Sequence, residues 1–210
     1  MKMRIFGLAA ALGLALTATS QAAPITTPPP GLNGTGEVTA FYIFADAGDT
    51  SILNMTAPPP GVPNIFCNHP TGSCLAANPG DMVSLGTLSA PLVFTLNNIN
   101  SGLTFSTDAP DSDGNYHVKI TDNLADFGLG LSLPADLVDF ISSNPGVDVT
   151  FVGWEDRTLG ESSDFDYNDL IFAFTNTTTD VTTPTPEPAS LALLGAGLVA
   201  FGTLRRRKKS

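Results

Sequence analysis

Short apolar runs separated by polar breaks extend through most of the chain, and the breaks are rich in Gly, Pro, Asn and Asp. The runs contain many β-branched and aromatic residues, a composition typical of β-strands that are joined by turns. The clearest runs predict strands at residues 37–45, 82–88, 91–96, 115–121, 147–154 and 169–175.

Residues 134–143 alone favour a helix. Pro134 suits a first helical turn, and the apolar Leu137 and Ile141 lie about one turn apart. Many short strands with little helix predict an all-β domain, an antiparallel β-sandwich of jelly-roll-like architecture with one short helix. The region 37–175, about 140 residues long, is large enough for a single hydrophobic core.

The N-terminus has the organisation of a secretory signal peptide. Lys2 and Arg4 precede an apolar run at 5–16, and small residues follow it. The run is shorter than the roughly 20 residues that span a bilayer, so cleavage is favoured over an uncleaved N-terminal anchor. We expect cleavage after Ala22, which makes residues 1–22 the signal peptide.

The C-terminus combines a Pro-Glu-Pro motif, an apolar segment and a basic tail. Pro186, Glu187 and Pro188 precede the apolar segment 189–204, which predicts a transmembrane helix. At about 1.5 Å per residue this helix spans roughly 24 Å, and snorkelling arginines extend its reach towards the ~30 Å hydrocarbon core. The basic tail should remain in the cytoplasm, with the preceding chain outside.

The organisation of residues 186–210 resembles the PEP-CTERM sorting signal of Gram-negative bacteria. The resemblance implies recognition by an exosortase-type processing protease, thought to cut at the Pro-Glu-Pro motif and pass the protein to the cell surface. A plain C-terminal membrane anchor is the alternative. We expect an exported protein whose ectodomain is first anchored at the inner membrane and then reaches the cell surface or is secreted after processing.

Removal of both ends would leave a strongly acidic ectodomain. Between residues 23 and 185 only Lys119 and Arg157 are basic, whereas nineteen acidic residues remain, which gives a formal charge of −17. Nucleic acid is therefore excluded as a partner, because a phosphate backbone needs basic neutralisation. Bound divalent cations would relieve the self-repulsion that opposes compaction.

Low-complexity segments frame the β-rich region. Residues 23–36 are rich in Pro and Gly and predict an extended linker, and the Thr-rich residues 176–185 predict a stalk.

The two cysteines, Cys67 and Cys74, lie in a turn-rich stretch. In an oxidising compartment this arrangement predicts one short-loop disulfide. His69 lies between them, so a Cys-His-Cys zinc site is the alternative, although it would need another ligand such as His117 from a distant part of the chain.

A carboxylate-rich loop precedes the last predicted strand. Asp164, Asp166 and Asn168 occupy alternate positions, a spacing that offers oxygen ligands to a hard cation such as calcium. Glu155 and Asp156 end the preceding strand, and a hairpin would return them to the Asp-rich segment. The loop is not an EF-hand, because it lacks the Gly and Glu that such a loop requires. The predicted calcium ligands are Glu155, Asp156, Asp164, Asp166, Asn168 and Asp169.

The stretches "GWEDR" and "SDFDYNDLIFAF" together resemble the DUF4114 family, whose β-rich domains occur in bacterial surface and secreted proteins. The resemblance covers residues 147–175. It implies a β-rich fold and a metal site at the acidic positions named above, but it assigns no activity.

A second acidic loop repeats the alternation of oxygen-bearing side chains, with Gly114 permitting a sharp turn. This loop could complete the first site, hold a separate ion, or be an ordinary turn whose side chains bond their own backbone. The turn is the favoured interpretation. The candidate ligands of a second metal loop are Asp108, Asp111, Asp113 and Asn115.

Catalytic motifs are absent from the sequence. The histidines, His69 and His117, belong to no recognisable triad, and no Gly-rich phosphate loop or His-Glu-x-x-His motif occurs. Trp154 could offer a sugar-stacking platform, but a core position is favoured. Arg157 is expected to pair with Glu155 or Asp169.

We therefore expect a non-enzymatic cell-surface or extracellular-matrix protein, of the kind found in biofilms, with a calcium-stabilised β-sandwich. The alternative is a calcium-dependent carbohydrate-binding module that acts on exopolysaccharide. In that case the ion would bridge sugar hydroxyls to the Asp-rich loop.

Overall fold

The computed structural model describes residues 23–72, 74–161 and 163–180. Within these ranges the chain is β-rich, with two antiparallel sheets and a single α-helix. None of the helices in the described ranges is long and apolar enough to cross a membrane. The predicted signal peptide at 1–22 and the predicted transmembrane segment at 189–204 lie outside the described residues.

One sheet is built from strands that come mostly from the first half of the chain. They are β1 (Gly31–Gly34), β3 (Ser51–Ala57), β4 (Val62–Cys67), β6 (Pro91–Asn98), β7 (Thr104–Ser106) and β11 (Thr177–Asp180). The strand order is β11-β1-β6-β3-β4, with β7 also paired to β6.

The other sheet contains both strands that the first acidic loop connects, β9 (Val149–Trp154) and β10 (Leu170–Thr175). Its other members are β2 (Gly36–Ala45), β5 (Met82–Leu88) and β8 (Val118–Thr121), and the strand order is β5-β2-β10-β9-β8. The α-helix, α1 (Ala135–Ser143), lies between β8 and β9 in the sequence. Every strand predicted from the apolar pattern overlaps a strand of the structure, and the predicted helix corresponds to α1.

The folded region extends beyond the boundaries that composition predicted. Residues 31–34, assigned to the linker, and residues 177–180, assigned to the stalk, pair with each other as β1 and β11. Leu32 is buried in the core, and the Thr177 hydroxyl is 3.1 Å from the Thr150 hydroxyl. Backbone pairing and buried Thr hydroxyls hold these segments, and a composition rich in Gly and Thr does not reveal either.

Side chains from both sheets meet in one core cluster. The Phe66 ring of β4 stacks on the Phe172 ring of β10, with centroids 5.9 Å apart and planes inclined by 6°. Phe94 of β6 lies 4.3 Å from Phe174 of β10, again between centroids. These contacts bury apolar surface from each sheet, and the jelly-roll-like sandwich arrangement stays a prediction.

The second sheet is buried on its other face as well. Phe41, Phe151 and Ile171 belong to a separate core cluster, which includes Leu137 of α1. Burial on both faces explains why β2 and β10 are continuous apolar runs rather than alternating ones. The acidic loop between β9 and β10 covers part of this face through Phe165 and Tyr167, which belong to the same cluster.

Cys67 and Cys74 are joined by a disulfide, with Cα atoms 6.1 Å apart. Both sulfurs are used in this bond, so the alternative Cys-His-Cys zinc site is not formed. His69 instead places its Nε2 atom 3.1 Å from the carbonyl oxygen of Ala47.

Replacement of Phe172 by Ala should lower the free energy of unfolding by about 3–5 kcal/mol, because the ring is fully buried between the sheets. Chemical denaturation of the purified chain measures the loss. The control is Leu75→Ala, since the Leu75 side chain is 86% exposed and its truncation should change stability by less than about 0.5 kcal/mol. Equal losses in both variants would contradict this account of the core.

Candidate metal centre

A β-hairpin brings the two ends of the acidic segment together. Strands β9 and β10 pair antiparallel, with Leu170 opposite Trp154. Glu155 and Asp156, which follow β9, therefore lie beside Asp169, which precedes β10. The backbone N–H of Asp156 donates a hydrogen bond of 2.9 Å to Oδ2 of Asp169.

The loop before β10 alternates buried aromatic residues with oxygen-bearing ones. Phe165 and Tyr167 have φ angles of 54° and 60°, in the left-handed region that bulky residues rarely adopt. Both rings are buried in the core cluster beneath the loop, which offsets the backbone strain. Asp166 lies between the two aromatic residues in the sequence, and Asp164 directly precedes them. The packing of the rings therefore holds both carboxylates at the loop surface.

Three carboxylates converge at the hairpin end. Glu155, Asp164 and Asp166 each offer an oxygen, and these oxygens all lie within 4.8 Å of one another. Calcium binds oxygens at about 2.3–2.6 Å, so ligands on opposite sides of the ion are roughly 4.6–5.2 Å apart. The spacing of the carboxylates therefore fits a calcium ion without a large rearrangement.

Glu155 is the most unusual member of this cluster. Its side chain is only 2% exposed, and Oε2 has no hydrogen-bond partner among the described residues. An unpaired buried oxygen costs free energy, and a buried charge costs more unless an opposite charge compensates it. A bound cation would satisfy this oxygen.

Burial and mutual repulsion shift the ionisation of the cluster. Burial, with the charges of Asp169 and Asp164 adding to it, raises the pKa of Glu155 to about 9. Burial, aided by Asp169 and Asp49, raises the pKa of Asp156 to about 7. Burial also raises the pKa of Asp166 and of Asp169. Without a counter-ion the folded protein therefore favours protonated carboxyls here.

Three residues outside the acidic loop, Asp49, Ser51 and Asn98, also lie beside it, and the sequence pattern did not indicate them. Asp49 accepts from Arg157 Nε at 3.3 Å and from Asn98 Nδ2 at 3.1 Å. The Ser51 hydroxyl donates to Asp156 Oδ2 at 3.3 Å. Arg157 thus pairs with Asp49 rather than with the expected Glu155 or Asp169. Ser51 belongs to β3, Asn98 to β6, and Asp49 to the turn before β3. No pattern in the sequence connects these segments with the acidic loop.

The remaining predicted residues have separate contacts. The Asn168 backbone N–H donates to Asp166 Oδ1 at 3.1 Å and its amide contacts the other carboxylate oxygen, so Asn168 orients Asp166. Trp154 is fully buried, so it offers no exposed platform for a sugar.

The second acidic loop contains hydrogen bonds of the kind found in a turn, and whether it also holds an ion stays a prediction. Asp113 Oδ1 accepts from the Asn115 backbone N–H at 2.9 Å, and Asp108 bonds Ser106. Asp113 also contacts His117, which was not among the ligands predicted for this loop. Burial acts to raise the pKa of Asp113, but the hydrogen bonds from Asn115 and His117 outweigh it and lower that pKa.

Residues 184–208 match the PEP-CTERM protein-sorting motif. The match confirms the sorting signal predicted around Pro186, Glu187 and Pro188. It indicates an exported protein that depends on an exosortase and is anchored through its C-terminal tail before processing. No curated protein and no solved structure matches the chain. The DUF4114 resemblance stays a prediction.

In the absence of divalent cations, the free energy of unfolding should fall as pH rises from 4.5 towards about 9. The pKa of Glu155 is higher in the folded protein than in the unfolded chain. Its stabilising contribution is therefore complete below the unfolded value and is lost as pH rises through the folded value. Denaturation in EDTA across this range measures the slope, and Glu155→Gln should flatten it. A gain of stability with rising pH would contradict the assignment.

Gly153→Ala should loosen the acidic loop, because an added Cβ would meet the Phe127 ring and the Tyr167 carbonyl oxygen. We expect a loss of about 1–3 kcal/mol in the free energy of unfolding, with faster hydrogen exchange at the amides of residues 163–169. The control is Gly72→Ala, where an added Cβ meets nothing within 4 Å. Unchanged exchange in the Gly153 variant would show that this glycine does not position the loop.

Proposed function

We propose that this chain is a non-enzymatic surface protein whose β-rich domain is made rigid by calcium at the cluster of Glu155, Asp164 and Asp166. The observation that carries the proposal is the buried Glu155 carboxylate, whose Oε2 atom has no partner in the described ranges and which faces two further carboxylates. A divalent cation removes both the repulsion and the unpaired oxygen.

Calcium is the cation that best suits this donor set. Carboxylate oxygens are hard ligands, and calcium accepts six to eight of them in flexible geometry. Asp156 and Asp169 lie beside the three converging residues, and water can supply the rest of the coordination shell. Asp164 is exposed, so an ion can enter from solvent after export.

A structural role follows from the position of the cluster. The ion would join the end of β9 to the loop that enters β10, and both strands lie inside the second sheet. We infer that the two sheets form a β-sandwich, which is compatible with the β-rich fold that the DUF4114 resemblance implies. Calcium would then fix one end of the sandwich and allow a strongly acidic domain to stay compact at the cell surface.

The PEP-CTERM signal supports action outside the cytoplasm, in the extracellular matrix or polysaccharide layer. The alternative, a calcium-dependent module that binds exopolysaccharide, needs a surface where a sugar can contact the ion. The burial of Trp154 removes the aromatic platform suggested by the sequence. For this reason we favour the structural role. No group of residues within the described ranges favours a catalytic function.

Calcium should raise the melting temperature of the purified full chain, held in detergent because its C-terminal segment is apolar. Asp164→Asn combined with Asp166→Asn should abolish most of that rise, because both carboxylate ligands lose their charge. Calorimetric titration of the same samples measures the affinity and the number of ions bound.

The matched control combines Asp122→Asn with Asp139→Asn, which removes the same charge at two exposed residues outside both acidic loops. This variant should keep the full calcium response. Equal melting temperatures of the wild-type chain in EDTA and in millimolar calcium would refute the proposal. Glycan binding that a chelator abolishes would favour the carbohydrate-binding alternative.

A further inference from the structure

We propose that Asp111, Asp113 and His117 form a second metal site, selective for zinc or a similar transition metal rather than for calcium. The site lies in the loop before β8. It differs from the second metal loop considered on sequence grounds, because Asp108 and Asn115 serve the turn and a histidine takes their place.

The donor atoms of these three residues already converge. One ligand atom from each lies within 4.8 Å of the other two. His117 Nε2 is 3.1 Å from Asp113 Oδ2. Zinc binds His nitrogen and carboxylate oxygen at about 2.0–2.2 Å, so neighbouring ligands of a tetrahedral ion are roughly 3.3–3.5 Å apart. The measured pair is therefore close to one edge of such a tetrahedron.

His117 is buried in a way that fixes its ring. Its side chain is 0% exposed, and the ring lies between Phe105 and Phe165, at centroid distances of 4.5 and 5.6 Å. The packing of the ring directs Nε2 towards Asp113, so Nε2 is the nitrogen that would bind the metal. Nδ1 lies on the other side of the ring, has no hydrogen-bond partner in the described part of the chain, and is not a ligand of this site.

Asp111 adds an independent unsatisfied group. Its Oδ2 atom is buried and is without a hydrogen-bond partner in the described ranges. The Asp113–His117 contact alone would account for a simple ion pair, but it leaves this carboxylate oxygen unexplained. A metal ion held by all three residues accounts for the buried oxygen and for the convergence of a second carboxylate on the imidazole.

The position of His117 places this site beside the calcium cluster. The Glu155 backbone N–H donates to the His117 carbonyl oxygen at 2.9 Å, which continues the β8–β9 pairing by one residue beyond Val118 and Trp154. The Leu159 backbone N–H also lies 3.4 Å from Asp113 Oδ2, so the two acidic loops are in contact.

The two neighbouring clusters differ in donor type, and this difference determines selectivity. An all-oxygen set favours calcium, whereas imidazole nitrogen favours zinc and related metals. Three protein ligands also leave coordination positions for water. The zinc site does not depend on the calcium proposal, because its ligands come from another loop.

The composition of the chain makes this site easy to test. The chain has only two histidines, and both cysteines are in the disulfide. A zinc site with a nitrogen ligand must therefore use His117 or His69. The His69 ring is exposed on the disulfide loop and contacts a backbone carbonyl, so His69→Gln is a matched control.

Zinc titration of the full chain in detergent, with calcium at saturation, should show one strong site by calorimetry. The same stoichiometric addition should shift the NMR ring resonances of His117 and leave those of His69 in place. His117→Gln should weaken zinc binding by at least about tenfold, whereas His69→Gln should leave it unchanged. The Asp164→Asn and Asp166→Asn double variant should also keep the zinc site, even if it loses the calcium response.

Absence of a strong zinc site in the wild-type chain would overturn the proposal, as would full zinc affinity in His117→Gln or its loss in His69→Gln. Circular dichroism and the calcium-dependent melting temperature check that His117→Gln is folded. If that variant does not fold, Asp111→Asn decides the question, because Asp111 is partly exposed. At least about tenfold weaker zinc binding in Asp111→Asn supports the site, and unchanged binding refutes it.

Discussion

The burial of Phe165 and Tyr167 is the constraint on which the acidic end of the domain depends. Both rings are packed into the cluster on the outer face of the second sheet, and both backbones adopt the left-handed conformation. Because the aromatic residues alternate with Asp164 and Asp166, fixing the rings also fixes the carboxylates. The apolar core therefore holds like charges at a spacing that an unanchored loop would avoid through repulsion.

This arrangement sets burial against ionisation. Folding removes Glu155 and Asp156 from water without giving either of them a basic partner within the described residues, since Arg157 bonds Asp49 instead. The chain thus holds a preformed cluster of carboxylates that could accept positive charge, at the expense of stability in its cation-free form. Such a design suits a protein that folds after export, where divalent cations are plentiful.

The pattern of apolar and polar residues along the chain predicted those parts of the fold that neighbouring residues determine. The apolar runs of β2, β9 and β10, the helix α1 and the Asp-x-Asp-x-Asn spacing were all recognisable, because their chemistry is continuous along the chain. Strand β1 and strand β11 were not, since Gly and Thr become strand residues only when a distant partner supplies hydrogen bonds. Asp49 was missed for the same reason, because it meets Arg157 and Asn98 only through tertiary pairing. His117 lies only four residues after Asp113, and it was missed because the loop was judged by its oxygen-bearing residues alone.

Strand β11 ends at Asp180, opposite Gly31 at the start of β1, and the Pro-Glu-Pro motif begins at residue 186. Six residue steps reach at most roughly 20 Å even when fully extended. A protease that acts at this motif would therefore work within roughly 20 Å of the end of the edge strand β11. The length of this tether limits how far the folded domain can lie from the bilayer, and therefore how much room the enzyme has beneath it.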